Sequence, residues 1–227
     1  MDTGATMAAT SRLNRLPAIE RGITIGDFLV PVRVGERMSS RARHAALVVI
    51  GALFIALTAN FSVPVPGSPV PVTGQTLSVL VVGGALGFRR GGMASLLYLV
   101  LGLGLPIYAE HHSGIATLAT IESGRLVLGA TGGYLLGFVV GTALVGRLAE
   151  LGWDRGLGGA LAAMVLGNLA IYLVGLPWLM AATGQTPAWT LANGLEPFVI
   201  GDIVKLALAA VLFPAAWWLV GRRAGER

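Results

Sequence analysis

The 227-residue sequence contains no cysteine, and only 12% of its residues are charged. The missing cysteines exclude disulfides, thiolate metal sites and cysteine nucleophiles. Soluble domains typically carry about 25% charged residues, whereas here 55% of the residues are hydrophobic and the mean hydropathy is +0.76. We therefore predict an all-α integral membrane protein with no separate soluble domain.

Long apolar stretches predict six transmembrane helices in one compact bundle, because a helical crossing needs about 20 residues. The expected spans are 45–63, 73–88, 92–108, 131–148, 158–180 and 196–220. They divide the chain into a cytoplasmic tail (1–43), the six-helix membrane domain (44–221) and a second cytoplasmic tail (222–227).

The N-terminal tail is rich in arginine and has no long apolar run, so we expect no cleavable signal peptide. Met1 and Met38 are both candidate start residues. Residues 23–32 are either an interfacial segment or a linker, and Gly26 and Pro31 favour the linker.

The basic residues are spread over the tails and loops, which favours a membrane surface over nucleic acid as their partner. They are concentrated in both tails, at Arg89 and Arg90, and at Arg147 and Arg155, whereas the opposite loops contribute only Arg125. By the positive-inside rule, both termini are predicted to be cytoplasmic.

One charged pair, Asp202 and Lys205, lies inside the apolar segment 197–214. A charge near the bilayer centre costs roughly 3 kcal/mol on insertion scales, so such residues face a bundle interior or a cavity. Three positions apart on a helix, the two side chains share a face and can both reach one polar ligand. The pair predicts a ligand or ion site, and a buried ion pair that only fixes helix packing is the alternative.

Two further patterns point to interior faces. Asn168 and Tyr172 lie one turn apart in the fifth span. Four glycines at intervals of four residues form a groove that admits a neighbouring helix or a flat ligand: Gly129, Gly133, Gly137 and Gly141.

The sequence offers little for catalysis. His111 and His112 beside Glu110 are interpreted as a solvated loop, because a third metal ligand at suitable spacing is missing. The glycine clusters lack the strand and the Gly-Lys-Ser/Thr ending of a phosphate-binding loop. We expect no metal, no cofactor and no enzymatic activity.

Four segments in order resemble the biotin-transporter family BioY, the substrate-binding (S) component of energy-coupling-factor (ECF) transporters. They are VTGQTLSVLVVGGALGFRRGG (72–92), LLYLVLGLGLPIYA (96–109), ATGGYLLGF (130–138) and PFVIGDIVKLALAAVL (197–212). The resemblance implies a multi-pass protein of a bacterial or archaeal-type plasma membrane that captures biotin near the outer face. It also implies two partners, a membrane-embedded T component and a pair of ATPases. The alternatives are an S component for another small vitamin and a non-transport membrane assembly protein.

The resemblance also implies a site. We expect Asp202 to accept hydrogen bonds from biotin and Lys205 to donate, and we favour the ureido carbonyl as the partner of Lys205. Arg125, or backbone N–H groups near Thr131 and Gly132, is expected to bind the carboxylate. The full set of expected ligand-site residues is Gln75, Tyr98, Arg125, Thr131, Gly132, Gly133, Tyr134, Asn168, Tyr172, Asp202 and Lys205. Ala52 and Ala56 in the first span are expected to contact the T component.

Overall fold

A computed structural model describes residues 23–29 and 38–224, and these residues are mostly helical. The helices are α1 (Gly26–Leu29), α2 (Ser40–Ala59), α3 (Gln75–Gly102), α4 (Gly132–Glu150), α5 (Leu157–Thr183), α6 (Pro187–Gly194) and α7 (Glu196–Ala224). Single 3-10 turns occupy Ala109–His111, Ile115–Thr117 and Trp153–Arg155. Two antiparallel hairpins join strands β1 (Ser62–Val63) and β2 (Val72–Thr73), and β3 (Ala119–Glu122) and β4 (Arg125–Leu128). Both hairpins lie in connections between helices.

Local sequence signals set several helix ends. The Ser39 hydroxyl accepts from the Ala42 N–H at 3.2 Å and caps the start of α2. At the start of α6, the Thr186 hydroxyl accepts from the Trp189 N–H at 3.2 Å. Gly184 ends α5 with a φ of 65°, a left-handed conformation that favours glycine.

Four helices are long and apolar enough to cross a membrane: α2, α4, α5 and residues 196–220 of α7. They correspond to the expected first, fourth, fifth and sixth spans. The second and third expected spans both fall within α3. A helical multi-pass membrane protein is therefore confirmed. Whether α3 contributes one membrane segment or two depends on its shape.

Helix α3 is a hairpin of two antiparallel arms that meet at Gly87, where the backbone (φ 83°, ψ 178°) interrupts the helix. The Gln75 amide donates to the Tyr98 hydroxyl at 2.5 Å, although a straight helix would separate these positions by roughly 34 Å. A Cβ added at Gly91 would lie 3.1 Å from the Gly83 Cα. The arms are therefore in contact both near the turn and at their far ends.

A carboxylate from α4 fixes the turn of α3. The Phe88 N–H donates to Glu150 Oε1 at 2.9 Å, which replaces the acceptor that the interrupted helix no longer provides. A Cβ at position 87 would lie 2.8 Å from the same oxygen, so glycine is needed for space as well as for its positive φ. The sequence predicts the second span to end at Arg89 and Arg90, but the break lies before both arginines.

The glycine stripe of α4 packs against α5. A Cβ at Gly137 would lie 2.8 Å from the Ile171 carbonyl oxygen, and one at Gly141 would lie 2.8 Å from Ile171 Cγ1. The stripe predicts either a neighbouring helix or a flat ligand, and a neighbouring helix packs against its middle. Gly129, which precedes α4, instead lines the cavity described below.

Ala52 and Ala56 are buried inside this chain. Their exposed fractions are 2% and 9%, because α2 packs closely against α3. At the neighbouring Gly51, an added Cβ would lie 2.9 Å from the Ala94 Cβ. This face is thus packed within the chain, and the expectation that Ala52 and Ala56 contact a T component stays a prediction.

The segment 23–29 is also packed on the bundle. It contains the short helix α1, and Thr24 and Ile25 are 1% and 7% exposed, so the interpretation as a linker is wrong for these residues. Residues 1–22, which include Met1, and residues 30–37 and 225–227 lie outside the described residues, and the proposed tail boundaries stay predictions.

The two ends of the bundle differ. The turn of α3 and the connection between α4 and α5 meet at one end, where Trp217 near the end of α7 donates to Asp154 Oδ2 at 2.6 Å. We call this the turn end. The opposite end, where α3, α4 and α7 begin, we call the cavity end.

Candidate ligand-binding cavity

A cavity of about 370 Å³ lies at the cavity end of the bundle. Its wall is formed by the first turns of α3, α4 and α7, the middle of α5, and the connections 69–73 and 108–117. The volume falls in the ~300–1,000 Å³ range of small-molecule sites. Polar side chains from four helices or their first turns converge on it: Gln75, Thr76, Thr131, Tyr172 and Lys205.

Asp202 lies at the centre of a buried hydrogen-bond network behind the cavity wall. The residue is 4% exposed, and its Oδ2 accepts from the Tyr172 hydroxyl at 2.6 Å and from Asn168 Nδ2 at 3.0 Å. Its Oδ1 accepts from Lys205 Nζ at 3.3 Å. Asn168 and Tyr172 thus both donate hydrogen bonds to one carboxylate of α7, and the network links α5 to α7.

Lys205 is the charged side chain of this network that faces the cavity. Its Nζ donates to the Thr76 hydroxyl at 2.9 Å as well as to Asp202. These two bonds use two of the three hydrogens of the ammonium group. The third can therefore bind a polar atom of a ligand.

Three aromatic rings form an apolar corner of the cavity. Tyr134 packs edge-on against Tyr172 with 6.2 Å between ring centroids, and lies 6.4 Å from the Phe198 ring. The Tyr134 hydroxyl donates to the Gly194 carbonyl at 2.7 Å. Because the polar tip of Tyr134 is satisfied within the protein, its ring can serve as an apolar surface.

Gln75 lines the cavity and is held from behind by Tyr98. The Tyr98 hydroxyl accepts from Gln75 Nε2 and donates to the Ile107 carbonyl at 3.3 Å. Tyr98 is 1% exposed and packs edge-on against Tyr108. The structure therefore brings Gln75 to the site and gives Tyr98 a supporting position.

Tyr108 belongs to the connection that follows α3 and lines the cavity. Its hydroxyl donates to the Leu99 carbonyl at 2.5 Å. Burial raises the pKa of Tyr108, so its hydroxyl keeps its proton and this hydrogen bond at neutral pH.

The residues at the start of α4 that the sequence predicts to contact the ligand have different surroundings. Thr131 lines the cavity, whereas a Cβ at Gly132 would lie 3.0 Å from Trp178 Nε1, and Gly133 also lies against Trp178. The Gly132 N–H donates to the Gly129 carbonyl at 3.1 Å. The Gly132 N–H is therefore already bonded within the chain, and the expectation that N–H groups near Thr131 and Gly132 bind a ligand carboxylate stays a prediction.

Arg125 is exposed on β4. Its hairpin turns at Ser123 and Gly124, which both have positive φ (51° and 74°) as in a type I′ turn. Among the described residues that line the cavity, Arg125 does not appear. The hairpin thus holds Arg125 away from the site that the sequence predicts for it.

Glu110 and His112 lie at the rim of the cavity. His112 Nδ1 is 4.0 Å from Glu110 Oε2, and both side chains are more than a third exposed. Within residues 23–29 and 38–224, no group of three or more His, Cys, Asp or Glu side chains is placed to hold a metal ion. The interpretation of residues 110–112 as a solvated loop stays a prediction.

Several cavity residues were missed by the sequence reasoning. Phe198 lies seven positions before Lys205, which is two helical turns on the same face, so helical spacing from the charged pair could have found it. Thr76, which bonds Lys205, directly follows Gln75. The contributions of Val70 and Ala116 come from irregular connections, where sequence spacing carries no information about side-chain direction.

The fold and the cavity define a class: a multi-pass helical membrane protein with a partly open cavity of small-molecule size, on which several polar side chains converge. A sequence model of the BioY family matches residues 33–222 of the chain. The probable biotin transporter BioY of Pyrococcus horikoshii is 37% identical over 174 residues, which cover 76% of this chain and 94% of that protein. The biotin transporter BioY of Rhizobium etli is 34% identical over 73% of this chain and 89% of that protein.

A solved structure is similar as well. The crystal structure of the S-component for biotin from an ECF-type ABC transporter matches with a TM-score of 0.68 and 25% identity, over 78% of this chain and 93% of that one. The chain belongs to the BioY family. The resemblance predicted from four sequence segments is confirmed, and the relatives are described as transporters, which agrees with the prediction that the chain is not an enzyme.

Proposed function

We propose that the chain is the biotin-binding membrane subunit of a vitamin importer. In this role it captures biotin at the outer face, for uptake energised by a T component and ATPases. One observation carries the proposal: a BioY-family chain forms a cavity that is lined by Lys205, whose ammonium group is paired with the buried carboxylate of Asp202.

The chemistry of biotin matches what the cavity offers. Its ureido carbonyl needs a strong donor, which the free ammonium hydrogen of Lys205 supplies beside Thr76. Its apolar thiophane ring fits the aromatic corner of Tyr134, Tyr172 and Phe198. The assignment of Lys205 to the ureido end extends the sequence-based expectation.

The carboxylate of biotin needs a different part of the wall. Helix α4 begins beside the cavity, and Thr131 lines it. The N-terminal end of a helix carries partial positive charge and attracts anions. We therefore place the carboxylate near Thr131 rather than near Arg125, which lies on the outer hairpin.

The hairpin shape of α3 supports six membrane segments. Its arms, residues 75–86 and 88–102, are shorter than the other spans; counted as one segment each, they give six with α2, α4, α5 and α7. The described basic residues that flank helices lie at the turn end, including Arg89, Arg90, Arg147 and Arg155. By the positive-inside rule the turn end is cytoplasmic, which places the cavity end outside and both termini inside.

A T component could also contact α2 on the face that α2 exposes at the outer surface of the bundle. On α2, the side chains exposed on the outer surface of the bundle include Val49, Leu53 and Leu57, at 45%, 57% and 59%. These side chains would contact lipid or a partner helix within the membrane. Co-purification with a T component and ATPases would test the assembly itself.

The experiment that tests the ligand compares biotin with lipoate, which has the same pentanoate tail but no ureido ring. Purified protein should bind biotin at least a hundredfold more tightly than lipoate, because only biotin offers Lys205 a carbonyl acceptor. Equal binding of both compounds would place recognition in the tail and contradict the proposed site. Binding of neither would favour an S component for another vitamin.

A further inference from the structure

Residues 23–29 lie outside the part of the chain that the BioY family model matches, which begins at residue 33. They are nevertheless built into the fold. Thr24 is 1% exposed and Ile25 is 7% exposed, and the segment sits at the turn end, away from the ligand cavity.

Arg90 provides the first anchor of this segment. Its Nη1 lies 2.7 Å from Asp27 Oδ1, and its Nη2 donates to Asp27 Oδ2 at 3.1 Å and to the Thr24 hydroxyl at 2.9 Å. Its Nε donates to the Leu86 carbonyl at 2.8 Å, next to the turn of α3. Such a two-pronged arginine–carboxylate pair is among the stronger and more directional polar contacts in proteins.

The environment of Asp27 agrees with this pairing. Burial alone would raise the pKa of Asp27, but hydrogen bonds from Arg90 and Thr24 outweigh it and hold the pKa below the usual value. The carboxylate is therefore charged at neutral pH, and the contact to Arg90 would be lost only in strong acid.

Arg155 provides a second anchor, on the connection between α4 and α5. Its Nη2 donates to the Ile23 carbonyl at 2.9 Å, and its guanidinium carbon lies 3.2 Å from the centroid of the Trp217 ring. Phe28 packs edge-on against the same ring at 5.9 Å. The segment thus contacts α3, the α4–α5 connection and α7 at once.

The shape of the contact is specific. A Cβ at Gly26 would lie 2.7 Å from the Ala85 carbonyl oxygen and 3.0 Å from Leu86 Cδ2, so a larger residue does not fit without movement. We define the basal groove as the surface formed by Ala85, Leu86, Arg90, Arg155 and Trp217. This groove accommodates a small residue followed by a residue with a carboxylate, which in this segment are Gly26 and Asp27.

We propose that the basal groove is a peptide-binding site and that residues 23–29 are its occupant in cis. The segment latches the turn of α3, the α4–α5 connection and the end of α7 together. This site is separate from the ligand cavity and does not depend on which vitamin binds there.

The absence of cysteine allows a direct test on the full chain. Ile25→Cys should react slowly with a soluble maleimide, because position 25 is buried. Adding Asp27→Asn should raise the rate at least about tenfold, since it removes the charge that Arg90 holds. Phe28→Cys is the matched control: this position is 49% exposed, and it should react rapidly with or without Asp27→Asn.

A second measurement tests whether the groove recognises this segment when it is supplied as a separate peptide. A labelled peptide with the wild-type sequence of residues 21–29 should bind the full Asp27→Asn chain, because the contact between that chain's own segment and the groove is weakened. It should bind at least about tenfold less tightly to the chain that carries both Asp27→Asn and Arg90→Gln. The proposal is overturned if Ile25→Cys reacts as fast as Phe28→Cys when Asp27 is intact, or if Asp27→Asn leaves the Ile25→Cys rate unchanged. Equal peptide binding with and without Arg90, or no binding to either chain, also overturns it.

Discussion

At the scale of single residues, two charged side chains that are close in sequence lie at different positions relative to the cavity. Lys205 faces the cavity, whereas Asp202 is held behind the wall by Tyr172 and Asn168. The carboxylate therefore acts on a ligand through the ammonium group that it orients. Because Tyr172 and Asn168 still donate to Asp202 when Lys205 is absent, the two residues should respond differently to substitution.

We predict that Lys205→Met weakens biotin binding at least tenfold with little change in thermal stability. The loss of a hydrogen bond from a charged donor is worth about 1.5–3 kcal/mol, which corresponds to roughly ten- to a hundredfold in the dissociation constant. Asp202→Asn should weaken binding as much and also lower the unfolding temperature, because it leaves the Lys205 ammonium without its carboxylate. Isothermal titration and thermal unfolding of detergent-purified protein measure both effects.

Arg125→Gln is the matched control for these variants. It also removes a basic side chain, but from an exposed hairpin outside the cavity wall, so binding and stability should both stay at the wild-type level. Wild-type affinity in Lys205→Met would contradict the proposed site. A loss of stability in Lys205→Met as large as that in Asp202→Asn would favour the alternative that the pair only fixes helix packing.

At the scale of elements, the hairpin of α3 organises the bundle. One arm brings Gln75 and Thr76 to the cavity, and the other brings Tyr98 behind Gln75. Its turn contacts Glu150 of α4 and, through Arg90, the segment 23–29. A change at the turn should therefore affect the stability of the whole domain.

Gly87→Ala is expected to destabilise the protein by about 1–3 kcal/mol. Its backbone angles (φ 83°, ψ 178°) lie in a region that only glycine adopts readily, and the new methyl group would press on Glu150. Gly92→Ala serves as the control in the same helix, because a Cβ there meets the Ala143 Cβ at an ordinary 3.6 Å. Thermal unfolding should show a clear loss for Gly87→Ala alone, and equal behaviour of the two variants would show that the turn tolerates a side chain.

The sequence predicted the elements that have strong local signals and missed the relations between elements. Apolar length gave the positions of α2, α4, α5 and α7, and the embedded charges gave Asp202 and Lys205. The stripe of Ala52 and Ala56 indicated close helix packing correctly, but small residues do not tell whether the partner helix is in the same chain. The packing of Thr24 on Arg90 joins positions far apart in sequence, and no periodicity points to it.

At the scale of the whole molecule, the two ends of the bundle have different chemistry. The turn end carries the arginines beside the turn of α3 and the α4–α5 connection, including Arg90 and Arg155, and contacts the segment 23–29. The cavity end carries the two hairpins and the opening of the ligand site. This asymmetry supports the proposed orientation, in which the ligand arrives on one side of the membrane and the basic surface faces the other.

The proposed orientation can be tested because the wild-type chain has no cysteine to react. Ile121→Cys places a thiol on the hairpin at the cavity end, where this position is 75% exposed. Gly158→Cys places one at the turn end, where an added Cβ meets no atom within 4 Å. In intact cells a membrane-impermeant maleimide should label Ile121→Cys, and it should label Gly158→Cys only after the membrane is permeabilised. The reverse pattern would place the cavity on the cytoplasmic side and contradict capture from outside, and retained biotin binding by both variants confirms that each one is folded.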